Sequence, residues 1–213
     1  NDEITSIDIS NCTGITGNLW LYTNDITGSL TIPNAPNALS CRLQSNDITA
    51  LPGLDNLTGL NSTLYIYDCD LTGTVLIPNA PSCAYFNASG NSNLTSFTGL
   101  DKLTGLTGFL IASVCDITGT MTIPVATSLP AIDVNENFNL TAFSDLSGLT
   151  SCNSFKAHNC GLTATAVDQV IIDMDATGVS SGTLKLEGNT APTATSSTEL
   201  ASLVTKGWTV TTD

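Results

Sequence analysis

Residues 19–26 read Leu-Trp-Leu-Tyr-Thr-Asn-Asp-Ile, residues 41–48 read Cys-Arg-Leu-Gln-Ser-Asn-Asp-Ile, and residues 64–71 read Leu-Tyr-Ile-Tyr-Asp-Cys-Asp-Leu. The same template underlies all of them: apolar, any, apolar, then Asn or Cys, then Asp, then Ile or Leu. Alternation of period two over so short a run reads as a strand with one buried face. Outward from these stretches, the pair [Ile/Leu]-Thr recurs at Ile4-Thr5, Ile26-Thr27, Ile48-Thr49, Leu71-Thr72, Leu94-Thr95, Ile117-Thr118, Leu140-Thr141 and Leu162-Thr163, in steps of 22 or 23 residues. Further short alternating runs continue the series at Phe86-Asn87-Ala88, Leu110-Ile111-Ala112, Ile132-Asp133-Val134, Phe155-Lys156-Ala157 and Leu184-Lys185-Leu186. A fixed period of this length is the signature of stacked coils, each too small to bury a core alone.

The pattern L-x-L-x-x-N/C-x-L resembles that of leucine-rich-repeat proteins. Leu19, Leu21, Asn24 and Ile26 match it, as do Cys41, Leu43, Asn46 and Ile48, and Leu64, Ile66, Cys69 and Leu71. Two coils carry one extra residue before the last apolar position, from Asn91 to Leu94 and from Asn137 to Leu140. The resemblance covers about residues 1–190. It implies an α/β solenoid: a right-handed superhelix with a parallel β-sheet on the concave face, a mostly non-helical convex side, and a C-terminal helical cap. Repeats are placed at 1–162 and closing coils with the cap at 163–213.

The Asn/Cys position follows a tight turn whose backbone groups point inward. A buried Asn donates and accepts there, so adjacent coils should share a ladder of Asn24, Asn46, Cys69, Asn91, Cys115, Asn137, Cys160 and Asn189. Two coil types alternate, giving a super-repeat of 45–46 residues. One runs from Ile26-Thr27-Gly28 to Ile32-Pro33-Asn34-Ala35-Pro36 and returns at 71–81 and 117–124; it is similar to plant-type L-T-G-x-I-P repeats. Its prolines argue for an extended back wall. The other, Leu51-Pro52-Gly53-Leu54-Asp55-Asn56-Leu57, with an echo at 97–106, is similar to internalin-like repeats of bacteria, which implies a short 3₁₀ turn.

Toward the C-terminus, Val167, Val170, Ile171 and Met174 stand at helical spacing. The reading is a helix over 166–176 with Thr165 as N-cap, Asp168, Asp173 and Asp175 facing outward, and Gly178 as its stop. A second helix over about 197–205 is predicted to start with a capping box of Ser196 and Glu199, to end at Gly207, and to precede a last strand, Trp208-Thr209-Val210. No matching cap is visible ahead of the first coil, whose apolar edge implies preceding residues, another domain or another subunit against it.

The chain has 213 residues, 5 Lys+Arg against 19 Asp+Glu, a formal net charge of −14, 41% hydrophobic and only 11% charged residues; its mean hydropathy is +0.20. It is too apolar for an acidic disordered chain, and so few cations argue against nucleic acid as a partner. No apolar run approaches the ~18 residues of a membrane span, and no signal segment or lipidation motif stands out, which reads as a mature product or a fragment. A polar complement of Thr, Ser, Asn and Gly fits a secreted or virion-surface protein. Seven Cys is an odd number. Ladder cysteines on alternate coils lie about 10 Å apart, beyond the ~7 Å Cα limit of a disulfide. The expectation is buried free thiols, with Cys12 on an apolar back-wall position, and neither metal nor cofactor.

The outward strand positions form three rows on the concave face: Asn18, Ser40, Thr63, Tyr85, Phe109, Ala131, Ser154 and Thr183; then Trp20, Arg42, Tyr65, Asn87, Ile111, Asp133, Lys156 and Lys185; then Tyr22, Gln44, Tyr67, Ser89, Ser113, Asn135, His158 and Glu187. All four Tyr, the only His and three of five cations land there. Trp, Tyr and Arg are enriched at binding hot spots, and aromatic faces also stack on sugar rings. The candidate ligand-binding residues are therefore Trp20, Tyr22, Arg42, Tyr65, Tyr67, Tyr85, Phe109, Lys156 and His158. The competing reading is that exposed aromatics merely pack on one another.

Other features read more plainly. Asp25, Asp47, Asp70 and Asp116 follow the ladder and form a solvated acidic edge, with calcium as the alternative. Asn-x-Ser/Thr sequons at Asn11, Asn56, Asn61, Asn87, Asn93 and Asn139 matter only in a glycosylating host. The Thr rows that an ice-binding array requires are interrupted by Ala50 and Ser96. No nucleophile elbow, phosphate loop or zinc-protease motif occurs, so a non-enzyme is expected. The function these features imply is recognition or adhesion: a protein or carbohydrate ligand held by the concave face, on a cell or virion surface, without membrane insertion. The alternative is a structural subunit or decoration of an extracellular filament or virion, self-assembling through the N-terminal coil.

Overall fold

The computed structural model describes residues 4–213; residues 1–3 of the first coil lie outside the described residues. Nine short strands form one parallel sheet in strict chain order: Asn18–Trp20, Ser40–Arg42, Thr63–Tyr65, Tyr85–Asn87, Phe109–Ile111, Ala131–Asp133, Ser154–Lys156, Gly182–Lys185 and Trp208–Thr211. The register aligns the expected rows. Trp20 pairs with Arg42, Arg42 with Tyr65 and Tyr65 with Asn87. Asn87 pairs in turn with Ile111, Ile111 with Asp133, Asp133 with Lys156 and Lys156 with Lys185. Between these positions Leu19, Cys41, Leu64, Phe86, Leu110, Ile132, Phe155 and Leu184 turn inward into one continuous core.

The back of the solenoid shows the two-coil super-repeat directly. Each Thr-Gly coil pairs its back strand only with that of the coil after it: Thr27–Ser29 with Asp47–Ala50, Thr72–Leu76 with Asn93–Thr98, and Gly119–Met121 with Leu140–Phe143. The prolines at the ends of the Thr-Gly coils keep their walls extended, while the intervening coils make 3₁₀ turns at Leu54–Asn56 and Leu100–Lys102. Gly53 and Gly99 enter those turns at φ 83° and 88°, where an L side chain is strained. Six residues on from each, the wall passes so close to its neighbour that a Cβ on Gly59 or Gly105 would run into the carbonyl of Pro36 or Pro81.

The ladder forms with a division of labour. Asn91 donates from Nδ2 to the carbonyls of Ile66 (2.9 Å) and Ala88 (2.8 Å), while its Oδ1 accepts the amide of Leu71 at 3.1 Å. Asn46, Asn137 and Asn189 repeat this, accepting the amides of Ile26, Ile117 and Leu162. The cysteines only donate: Cys69 to Leu43, Cys115 to Ala88 and Cys160 to Val134, at 3.3–3.5 Å. The difference lies in the preceding coil. Where Cys115 and Cys160 follow, the amides of Leu94 and Leu140 already bond to the carbonyls of Asn91 and Asn137 across the extra residue of those coils, so no acceptor is needed. Asn24, on the first coil, bonds among the described residues within its own turn, to Leu21 and Tyr22.

The residue before each ladder position adopts the left-handed conformation: Thr23, Ser45, Asp68, Gly90, Val114, Glu136, Asn159 and Gly188. For β-branched Val114, at φ 55° and 46% exposed, that geometry is costly and little burial compensates. Val114→Gly is expected to stabilise the protein by about 1 kcal/mol, read as a rise in melting temperature of roughly 2–4 °C; an unchanged or lower midpoint would contradict the strain.

All seven cysteines are free. Six are buried, but Cys12 is exposed, correcting its placement on an apolar back-wall position. The first coil's wall is not packed over that thiol. Burial pushes Cys69 and Cys152 up to about 12 and Cys83, Cys115 and Cys160 up to about 11, and raises Cys41 further. The ladder thiols thus remain protonated donors.

The C-terminal helix, α1, spans Ala164–Ala176, two residues longer than expected, and Thr163 rather than Thr165 caps it, its hydroxyl accepting the amide of Ala166. Gly178, at φ 74°, follows its end. The outward placing of its carboxylates is overturned. Asp168 and Asp173 are buried, and Asp175 pairs with Lys206 at 2.7 Å. Asp168 accepts the amide of Thr193 at 2.9 Å, the hydroxyl of Ser196 at 2.6 Å and the hydroxyl of Thr193. Asp173 accepts the amide of Leu146 and the side chain of Gln169. The second helix, α2, spans Ser197–Thr205 as expected, but no capping box forms. Ser196 gives its hydroxyl to Asp168 instead, and Glu199 Oε2 has no partner.

The concave aromatic strip as candidate binding surface

The outer rows of the sheet converge on Arg42. Its guanidinium carbon lies 4.8 Å from the Trp20 ring centroid and 5.3 Å from that of Tyr65, one ring on the strand before it and one on the strand after. Both geometries lie within cation–π range. Arg42 Nε donates to Thr63 Oγ1 at 3.2 Å, Thr63 shares a hydrogen with Ser40 Oγ at 2.7 Å, and Ser40 accepts Trp20 Nε1 at 3.0 Å. Ser40 and Thr63 are buried at the sheet surface and fix both the ring and the cation. They stand in the first row of the sequence pattern but have no place among the candidate site residues. Small hydroxyls beside a Trp and an Arg in the neighbouring column were the available signal.

The rings continue the strip. Tyr65 stacks on Phe109 at 6.0 Å and 15°, reaching across the Asn87 position between them. Tyr85 meets Phe109 edge-on at 5.2 Å, Tyr67 tilts against Tyr65 at 5.9 Å, and Tyr22 meets Trp20 edge-on at 6.3 Å. Asn87 is small and turns back to its own strand end, accepting from Ser89, which opens the gap. Trp20, Tyr22 and Tyr85 remain exposed while Tyr65, Tyr67 and Phe109 are half-buried. Burial raises the Tyr65 phenol above its ordinary range, against the lowering effect of Arg42. The aromatics therefore do pack on one another, and in doing so they form a continuous surface rather than a core.

Lys156 and His158 belong to a separate, polar half of the face. Lys156 pairs with Asp133 at 3.4 Å, and both are partly exposed. His158 Nδ1 is buried without a partner. Burial opposes the charged form of Glu187, but the hydroxyl of Thr211 and its own amide, with His158 and Lys185 nearby, outweigh it and hold its pKa below the usual value. The strand Ala131–Asp133, which carries no ring, stands between these residues and Phe109, so the nine candidate residues make two clusters, not one.

A cleft of about 230 Å³ opens between the back strand at Phe143 and α1, lined by Ala166, Gln169, Val170 and Asp173; the concave strip is a surface on which a macromolecule can lie. Among the described residues no group of three or more His, Cys, Asp or Glu side chains converges as a metal site, and no helix is long and apolar enough to cross a membrane.

Over 93% of its length the chain is similar in structure to an internalin of Listeria monocytogenes, with a TM-score of 0.53 and 20% identity. It has a leucine-rich-repeat fold. A leucine-rich-repeat protein of Leptospira interrogans is similar over 92% of the chain, with a TM-score of 0.52 and 19% identity. The chain spans 62% and 54% of the lengths of these two structures. No protein-family model and no curated protein matches it by sequence. Leucine-rich-repeat coils present their concave sheet as an extended interaction surface, and the strip centred on Arg42 occupies that sheet.

Proposed function

We propose that this leucine-rich-repeat chain is a non-enzymatic recognition or adhesion module that binds a protein or glycan through its concave face, on a cell or virion surface. The observation that carries the reading is the unbroken run of rings from Tyr22 and Trp20 through Arg42 to Tyr65, Phe109 and Tyr85. These residue types dominate binding hot spots, and here their positions are fixed in advance by Ser40 and Thr63. Such preorganisation reduces the entropy lost on association.

The test is capture of a partner from cell-surface extracts and a glycan array, repeated with Trp20→Ala combined with Tyr65→Ala. Losing two central rings is expected to weaken binding at least roughly 30-fold, with the melting midpoint reporting whether the fold survives. Unchanged affinity in the folded variant would remove the strip from the mechanism.

A second reading, self-association as a structural subunit, is favoured by the first coil. Ile4 and Ile7 are exposed there, and among the described residues the Asn18–Trp20 strand pairs on one side only. Size measured against concentration separates the two: a monodisperse monomer supports the recognition module, and growing polymers support assembly.

A further inference from the structure

Arg42 is the single arginine of the chain. Its carbon is flanked by the two rings, and its only protein hydrogen bond among the described residues leaves from Nε, to Thr63. Rings stacked on a guanidinium leave its in-plane donors open, and the Nη edge has no protein acceptor. A carboxylate within ion-pair range is also missing: among the described residues only Lys156 and Lys206 make ion pairs, with Asp133 and Asp175. Lys102 and Lys185 also lack an ion-pair partner among the described residues, but Arg42 is the cation held between two rings and fixed by a hydrogen bond to a buried hydroxyl. An open planar fork matches a carboxylate in a two-point contact.

We infer that Arg42 is the receptor for an acidic side chain, Asp or Glu, of a protein partner, with Trp20, Tyr65 and Tyr22 taking the apolar or aromatic groups beside it. The inference rests on the concave-face reading and adds the chemistry of the partner. A protein source fits the surroundings better than a sugar acid. The fork lies between a half-buried ring and an exposed ring on the open sheet, which favours one acidic side chain in an apolar setting. The acidity elsewhere, including the edge of Asp25, Asp47 and Asp70, repels a carboxylate from that side of the coils. Like-charge repulsion of that kind selects orientation more than it adds affinity.

One arginine gives one Nε–Hε resonance, which makes the test direct. The ¹⁵N-labelled protein is titrated with a blocked tripeptide, Ac-Tyr-Glu-Trp-NH₂, with its Gln counterpart, and with glucuronate. The expected result is a saturable shift of the Arg42 Nε–Hε signal with the Glu peptide, an apparent affinity at least tenfold weaker for the Gln peptide, and a weaker response to glucuronate. Arg42→Lys, which keeps the charge but loses the fork, is expected to lose most of the Glu-over-Gln preference, read at the Trp20 indole signal. Equal responses to Glu and Gln peptides, or no Arg42 shift, overturn the inference. A stronger response to glucuronate overturns the protein source. Trp20 shifts that ignore the Glu/Gln difference leave concave-face binding standing while removing Arg42 as a carboxylate receptor; silence at both Arg42 and Trp20 counts against both readings.

Discussion

Asn91→Ala is expected to destabilise the protein by about 3–5 kcal/mol. The side chain is fully buried; Nδ2 donates to the carbonyls of Ile66 and Ala88, with a longer contact of 3.4 Å to Ser89, and Oδ1 accepts the amide of Leu71, spanning two coils. Truncation strands the carbonyls of Ile66 and Ala88 and the amide of Leu71, and each unpaired buried group costs about 1–3 kcal/mol. Cys115 still reaches the Ala88 carbonyl, which lowers the total. Asn91→Cys separates the roles: a thiol donates but is a poor acceptor, so the variant is expected to recover part of the loss and leave the Leu71 amide unpaired. Conversely, Cys115→Ala removes one weak donor and is expected to cost about 1–2 kcal/mol. Urea unfolding measures all three, and a loss for Asn91→Ala no larger than that for Cys115→Ala would refute the division of labour.

The second large effect is expected at Asp168. Its carboxylate receives three hydrogen bonds from Thr193 and Ser196, tying α1 to the segment that begins the last coil. Hydrogen bonds to a charged group contribute about 1.5–3 kcal/mol each, less where a freed partner meets water. Asp168→Ala is expected to cost about 3 kcal/mol overall and to loosen residues 193–211 first. Hydrogen exchange over that segment and the fluorescence of Trp208, whose indole donates to the Val179 carbonyl, would report the local opening. Burial works against the charge of Asp168, but the bonds from Ser196 and Thr193 outweigh it and lower its pKa in the folded state. The sign follows: the carboxylate's contribution is complete above the unfolded value near 3.9 and is lost as pH falls through the lower folded value. The stability gap between the protein and Asp168→Asn should therefore close in strong acid; a constant gap would show that the charge has no part in the latch.

These two sites mark how far the sequence could be read. Asn91 was legible because a 22–23-residue period places it in a column with seven others, and its chemistry follows from any buried turn. The rows of the concave sheet were legible for the same reason: period and alternation fix register without knowledge of side-chain contacts. Asp168 was not. On a helical wheel an Asp reads as solvent-facing, and its partners lie 25 and 28 residues away in a stretch outside the repeat. The missing capping box has the same origin: the box needs the Ser196 oxygen to accept the Glu199 amide, but the side chain turns to donate its hydroxyl to the distant Asp168. In the strip, the column Trp20-Arg42-Tyr65 was visible, but Tyr65 reaching over Asn87 to Phe109 depends on a short side chain folding back. Nothing in the spacing encodes that.

The alternation of Asn and Cys down the ladder, together with back strands that pair only in twos, sets how such a molecule can change in length. A duplication or deletion of one coil would place a thiol opposite an amide that needs an acceptor, and would leave a back strand with no mate. Copying 45–46 residues keeps every partner in place. Lineages and engineers alike should therefore find this solenoid lengthening in increments of two coils, about 10 Å at a time, with single-coil variants expressed poorly or not at all.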